Sequence, residues 1–532
     1  MLKFIRQSVW SLVLLALLPT GLAAQNYIYT NNDLNTANSV SGFSVDTNGS
    51  LSPVPGSPFA TGGNGIYGYS YAHSLYSPNR IIVVNNFLYA SNAASNNVSA
   101  FTIGTGTGTL TAVAGSPFAT NAVDNPQYSG ISLAATPDGK FLYAGSTGFD
   151  GQFVGSITIF NIVSSGALTM VGSAPVAAGG PVYSLKVSPD GKFLFAALSQ
   201  SSQIAVFAIQ SDGSLQAVPN SPFTLSSGAA TSVDINCAGN LLFAGGNSGN
   251  IYVFNIASDG QLSAVSGSPF ATGVSSNWVV ALSADDSTLF SSNPGSNTVN
   301  AFAVGSNGSL TVPGTSEGAG SGAFNPGGLS VSGDGLFLYS GDTAITGGFG
   351  GISTFTLGGA LPISFASLTS TGVLSQSHSV AAYPAKVCSS STGTSGLTDS
   401  LQIFAGPPPG FDLEATLVLG SNQIADPLTQ PVTIQIGSFA LNLPAGSFKA
   451  FQEGTNSSIY LFQGVINSTT LKVQITPLGQ NQFQISAFDK QIDLTNLVNQ
   501  PISVTVGIGS NSASTVDPPQ QTGSARGNWR KY

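Results

Sequence analysis

The chain has 532 residues, only 7% of them charged, with 65 glycines and a formal net charge of −9. A nucleic-acid binder needs a basic stripe to displace counterions from phosphates, and 13 lysines and arginines against 22 acids provide none. An apolar share of 42% is too high for a disordered chain, so the glycines read as turns in an all-β protein.

Lys3 and Arg6 precede an apolar run over Val9–Leu18 that only Ser11 interrupts, and Gly21-Leu22-Ala23-Ala24 offers small residues for cleavage. The run is too short to span a bilayer comfortably, which predicts a cleaved signal peptide over 1–24. The alternative is an uncleaved anchor. No later run reads as a membrane span, so the expected location is periplasmic or extracellular. A weakly charged surface rich in hydroxyls and amides suits that location.

From residue 25 a repeat sets the pattern, most plainly over Tyr183–Phe223. Four short apolar runs are separated by turn signals at Asp190-Gly191 and Ser211-Asp212-Gly213-Ser214. Asp-Gly predicts a two-residue type I′ hairpin. The runs are too short for helices and rich in Val, Ile, Phe and Ala, so the unit reads as a four-stranded antiparallel sheet.

Two markers recur in the same phase. One is an aromatic or aliphatic residue, then Leu or Ile, then an aromatic. It occurs at Tyr27-Ile28-Tyr29, Phe87-Leu88-Tyr89, Phe141-Leu142-Tyr143, Phe193-Leu194-Phe195, Leu241-Leu242-Phe243, Thr288-Leu289-Phe290 and Phe337-Leu338-Tyr339. The other is a Phe closing an alternating run, at Phe43, Phe101, Phe160, Phe207, Phe254, Phe302 and Phe355. Copies spaced by about fifty residues predict a seven-bladed β-propeller around a central channel. The first copy starts on its second strand, and His378–Pro384 matches Tyr183–Pro189. The spare strand after the last copy should therefore complete blade one and close the ring.

Residues 62–79 insert Tyr67, Tyr69, Tyr71, His73 and Tyr76 between blades one and two. The insertion joins an outer strand to the next inner strand, which places it on the face where those connections surround the channel. Tyrosine gives rigid contact area at low entropic cost, so the loop is a candidate ligand binder. Its alternative is a loop packed over its own blade. A smaller insertion, Thr147–Val154, shapes the rim of blade three. Aligned inner strands put His378, Tyr183, Trp278, Thr231, Ile131 and Gly327 at one level, and Arg80 opens the inner strand of blade two. The candidate ligand-binding set is His73, Arg80, His378, Tyr183, Trp278, Tyr69 and Tyr71. Imidazole titrates near neutrality and guanidinium pairs with carboxylates, so the set suits an acidic or hydroxylated ligand. The competing reading has His378 capping a buried strand and Arg80 in solvent.

Cys237 and Cys388 are the two cysteines. In an oxidising compartment they are either a disulfide or two free, partly buried thiols, and they are too few for a zinc site. Asp138, Asp190 and Asp334 belong to Asp-Gly turns, and Gly341-Asp342-Thr343 has no spaced carboxylates beside it for calcium. No metal and no cofactor are expected. No G-x-S-x-G elbow is present. The sequons at Asn97-Val98-Ser99 and Asn456-Ser457-Ser458 read as composition in a bacterial-looking chain.

After Pro384 the composition changes. Ser389–Gly396 lies in a flexible linker, 385–399. Alternating runs at Leu401–Phe404, Ala415–Leu419, Val432–Ile436, Ser458–Phe462, Leu471–Ile475, Phe483–Phe488 and Ile502–Ile508 predict a smaller, immunoglobulin-like β-sandwich over 400–515. Gly406-Pro407-Pro408-Pro409-Gly410 should be an exposed loop, and 516–532 a frayed tail.

The cores Pro137–Ala144 and Pro189–Ala196, the SVxxF-like third strands and the Gly56–Thr61, Gly115–Thr120 and Gly267–Thr272 ends resemble the YVTN-type lactonase propellers. That family includes bacterial 6-phosphogluconolactonases and muconate-type cyclases. The resemblance covers roughly residues 26–384 and implies the seven-bladed fold. Its motifs are turns and core rather than chemistry. Relatives place His, Arg and Glu around the channel, whereas this propeller holds Arg80, Glu317, His73 and His378, with Lys140, Lys186, Lys192 and Lys386. No catalytic set carries over residue by residue. The expectation is an exported binding or scaffold protein that holds a glycan, small molecule or protein at the channel mouth. Two alternatives stand beside it: a lactone or ester hydrolase, and a structural cell-surface module.

Overall fold

The computed structural model describes residues 26–517 apart from 47, 66–77, 105, 123–129, 149–154, 334, 346–348, 358–361, 374–378, 387–395, 405–408, 419–425, 429, 438, 445, 454–456, 467–468, 480–481, 490–491, 498–501 and 509–510. The leader over 1–24 lies outside the described residues. So do most of Thr147–Val154, most of the linker and of the proline loop, and the chain beyond Asp517.

Seven antiparallel sheets form a ring. Blade one runs outward from Ser379–Tyr383 through Tyr27–Asn31 and Ser39–Val45 to Leu51–Pro53. The inner strands of blades two to seven are Ile81–Val84, Ser132–Ala135, Val182–Val187, Ala230–Ile235, Val279–Leu282 and Ala323–Val331. Each packs beside the next, and Ser379–Tyr383 packs between the first and last of them, so the ring is closed. The closing strand pairs in register from Tyr27 opposite Tyr383 to Asn31 opposite Ser379. Both ends of the propeller chain thus share one sheet, and neither leaves an unpaired edge there.

The aromatic marker proves to be the joint between blades. Its first ring covers a glycine in the outer hairpin of the next blade. A Cβ at Gly108, Gly166 or Gly213 would overlap Tyr27, Phe87 or Phe141. The backbone at these glycines is left-handed, with φ of 82° or less. The third ring is buried, and its hydroxyl donates to the carbonyl of the same glycine. Tyr29 reaches Gly108 at 2.7 Å, Tyr89 reaches Gly166 at 3.0 Å and Tyr143 reaches Gly213 at 3.1 Å. Phe337 of blade seven covers Gly49 of blade one in the same way.

The Gly-Ser-Pro-Phe ends have an equally local cause. In blade two the outer strand is broken, so that Leu110–Ala112 and Phe118–Ala119 both pair with Asn97–Ile103. The Ala100 amide at the break donates to Ser116 Oγ at 2.9 Å. Ser57, Ser221 and Ser268 accept from Gly42, Val206 and Val253 in the same manner. Buried amides must find an acceptor, which accounts for the repeated serine. The broken outer strand gives five blades a short fifth strand beyond the four expected.

The hairpin at Asp190-Gly191 is longer than a two-residue turn. Its strands end at Val187 and resume at Phe193, and Gly191 N donates to Ser188 O at 2.9 Å. Gly191 is left-handed at φ 73°, whereas Asp190 is not among the left-handed residues. The Asp190 carboxylate instead accepts the Ser188 hydroxyl and the Lys192 amide, a role that selects aspartate without a type I′ turn.

Neighbouring inner strands are linked by hydroxyl rungs. Ser132 accepts Leu185 N at 3.0 Å, Ser232 accepts Val280 N at 2.9 Å, Ser330 accepts Ala382 N at 3.1 Å and Ser379 accepts Arg80 N at 3.0 Å. These serines satisfy edge amides that no further strand covers.

The C-terminal strands form two antiparallel sheets of six and four strands. Their inner faces share one core that includes Phe411, Leu413, Val473, Ile485, Ile434 and Val504. This is a two-layer arrangement. The seven expected runs fall in strands, except that Leu419 lies outside the described residues, and Phe439–Leu443, Lys449–Glu453 and Asn511–Asp517 add three more. The count exceeds the seven-strand immunoglobulin-like layout by these three strands. No helix among the described residues is long and apolar enough to cross a membrane.

Candidate functional site at the upper channel mouth

We call upper the face that carries the outer-to-inner connections and the loops between second and third strands. Five of the six positions expected at that level are described, and His378 is not among them. Tyr183 is buried in the inner strand of blade four, Ile131 is buried just before that of blade three, and Trp278 is half-buried just before that of blade six. Thr231 of blade five donates its hydroxyl to the Trp278 carbonyl at 2.6 Å, tying two neighbouring blades together. Gly327 sits at an irregularity between Pro326 and Leu329 in the inner strand of blade seven.

Asn79 is a mouth residue that the sequence reading did not single out. Its carbonyl accepts Leu133 N of blade three at 2.7 Å, and its amide donates to Leu185 O of blade four at 3.0 Å. Strand register puts Asn79 opposite Tyr183 in the alignment, which is the signal that identifies it. His73, Tyr69, Tyr71 and His378 lie outside the described residues.

Arg80 departs from both readings made of it, ligand contact and solvated side chain. It is fully buried, and its Nη1 lies 2.7 Å from Asp33 Oδ2. Asp33 belongs to the loop between the second and third strands of blade one, so the pair sits on the upper side of the joint between two blades. A buried guanidinium is costly unless a carboxylate and further acceptors meet it. Asn31 donates to the carbonyls of Arg80 and Ser91, and Asn38 donates to Asn31 and Asn92. Gly130 packs on the guanidinium side chain and Gly65 on the Asp33 backbone so closely that a Cβ at either would overlap them. Burial pushes the Asp33 carboxyl up to about 6, against the opposing pull of Arg80. Arg80 is an internal brace.

Residues 73–233 match the model of the family described as lactonase, 7-bladed beta-propeller. The propeller is lactonase-like. The periplasmic gluconolactonase of Pseudomonas aeruginosa superposes with a TM-score of 0.50 at 16% identity, covering 67% of this chain and 98% of its own. A candidate 6-phosphogluconolactonase of Bacteroides uniformis gives 0.48 at 17% identity, with 67% and 99% covered. A Lactobacillus plantarum protein gives 0.48 at 15%, with 67% and 98% covered. At these identities the likeness is one of fold. No curated protein matches the chain.

The lactonase-like propeller holds one further deeply buried acid on this side. Asp342 lies within the second strand of blade seven, Phe337–Ile345, at the position that Asn92 holds in blade two. Burial pushes its carboxyl up to about 8, although Ser353 Oγ donates to it at 2.7 Å. Among the described residues no three His, Cys, Asp or Glu side chains gather to hold a metal. The described rim therefore presents the half-buried Trp278 ring and Asn79 amide, beside the buried Tyr183 and Thr231. Such groups stack on and hydrogen-bond to a neutral or hydroxylated ligand.

Proposed function

We propose that the lactonase-like propeller is an exported binding protein whose ligand sits at the upper channel mouth. Tyr183, Trp278 and Asn79 supply the wall, and the insertion with Tyr69, Tyr71 and His73, together with His378, completes the site. A glycan or other hydroxylated small molecule fits this chemistry best, and a protein loop bearing such groups is the macromolecular form of the same reading. The observation that carries the proposal is the commitment of nearby ionisable groups. Arg80 is consumed by Asp33, and Asp342 is sealed inside a blade. Lactone hydrolysis needs a base for water and a donor for the oxyanion, and no such free pair is presented by the described rim.

The leader sequence supports export, and the change in composition after Pro384 supports a propeller over 25–384, a linker over 385–399, a second unit over 400–515 and a tail over 516–532. The test is a thermal-shift panel of neutral oligosaccharides and simple lactones, with product analysis on every hit. A saccharide that raises the melting temperature without turnover, and loses its effect in Trp278→Ala, supports the reading. A lactone turned over by the purified protein replaces it with the hydrolase alternative, which the family match favours.

A further inference from the structure

The chain continues past the closing strand along the lower face of the ring. Pro384 follows Tyr383, and its carbonyl lies against Gly333 of blade seven, where a Cβ would come within 2.9 Å of that oxygen. Lys386 Nζ then donates to the carbonyl of Leu282, at the lower end of the blade-six inner strand, at 2.9 Å. The Leu282 amide donates to Asp234 Oδ2 of blade five at 2.8 Å, and Asp234 Oδ1 meets Lys186 Nζ of blade four at 2.7 Å. Three residues thus reach from blade one past blade seven to blade six, and the polar contacts run on to blades five and four.

The lock lies beside this path. Cys237 is buried in the hairpin after the blade-five inner strand, and its amide donates to Asp286 Oδ2 of blade six at 2.7 Å. Cys237 is disulfide-bonded, and the other cysteine of the sequence, Cys388, lies two positions beyond Lys386 and outside the described residues. Stripping of water lowers the pKa of the Lys386 ammonium, and the Asp234 carboxylate pulls it the other way. That cation has a reason to stay only while the strap is in place.

We propose that Pro384–Lys386 is a redox-locked strap across the lower channel mouth, held by a disulfide between Cys237 and Cys388. With the bond intact, Lys386 ties the closing strand of blade one to blades five and six. A dithiol reductant breaks the S–S bond: two electrons and two protons yield two thiols, and the dithiol closes to a cyclic disulfide. The strap is then held by its polar contacts alone, and ring closure loosens.

The test is hydrogen exchange on the full-length protein, oxidised and dithiol-treated. It is read at Ser379–Tyr383 and Val279–Leu282, with Ser132–Ala135 of blade three as the reference. Reduction is expected to speed exchange about tenfold or more in the first two and to leave the third unchanged. Lys386→Gln is expected to give a smaller rise of the same selectivity in the oxidised protein. Cys237→Ser should be loosened already and indifferent to dithiol. Two titratable thiols before any reduction would overturn the proposal. So would equal acceleration in all three strands, or none in the first two.

Discussion

The guanidinium of Arg80 and the carboxylate of Asp33 meet at 2.7 Å inside the joint between blades one and two. Removing one member strands the other in a dry interior, which costs about 3–5 kcal/mol, whereas removing both together costs much less. Arg80→Met should therefore lower stability to chemical denaturant sharply, and the double variant Arg80→Met/Asp33→Leu should recover most of the loss. If the double variant is as unstable as the single, the pair is not what holds the joint.

The buried acids set a pH dependence whose sign follows from their direction. Asp33 at about 6 and Asp342 at about 8 are both raised above the unfolded carboxyl value. The folded chain keeps protons there that the unfolded chain releases. Their contribution is fully present below the unfolded value, near pH 4, and is lost as pH rises through 6 for Asp33 and through 8 for Asp342. Asp234 works in the opposite sense. Burial raises it, but Lys186 and Lys386 outweigh burial and hold it low, so its stabilisation is lost only in acid. The melting temperature should fall between about pH 4 and pH 8. Asp342→Asn should remove the larger part of that slope, and an unchanged slope in this variant would refute the assignment.

The blade joints make a graded prediction. Tyr89→Phe removes a hydroxyl from the Gly166 carbonyl and should cost about 1 kcal/mol. Gly166→Ala must place a Cβ on a left-handed residue, at φ 81°, and into the Phe87 ring. Strain and overpacking together should cost about 2–4 kcal/mol. Calorimetry on the two variants checks the order, and a reversed order would mean that the ring contact does not govern the joint.

Those joints also explain why the propeller is legible in the sequence. Tyr89, Phe87 and Gly166 recur because most blades make the same kind of local contact with the next, so the period and the closing strand can be read before any coordinates. Arg80 is not legible in this way. Its partner lies 47 residues earlier in a loop of another blade, and no repeat places an aspartate there. A lone arginine in a charge-poor chain looks like a ligand group until Asp33 is seen against it. The strap is hidden for the same reason, because Lys386, Leu282 and Asp234 belong to different blades and meet once. The mouth level of Tyr183, Thr231 and Trp278 could be aligned because inner strands repeat. Asn79 escaped notice because its blade has a shorter first hairpin, which shifts the alignment.

Ring closure gives the last prediction, and its two parts are separable. A chain ending at Thr371 lacks Ser379–Tyr383, which leaves Tyr27–Asn31 as an open edge and Arg80 N without its Ser379 acceptor. Exposing that edge should abolish cooperative melting of the propeller rather than shift it, because both ends of the ring lose their shared sheet. A chain ending at Lys386 keeps the closing strand and the Lys386 contact with Leu282 but has no Cys388. It should still melt cooperatively, at the temperature of the propeller in the reduced full-length protein and below that of the oxidised one. Melting followed by circular dichroism separates the cases. If the two truncated chains melt alike, the closing strand does not hold the ring. If the longer one matches the oxidised full-length protein, the disulfide adds nothing to closure.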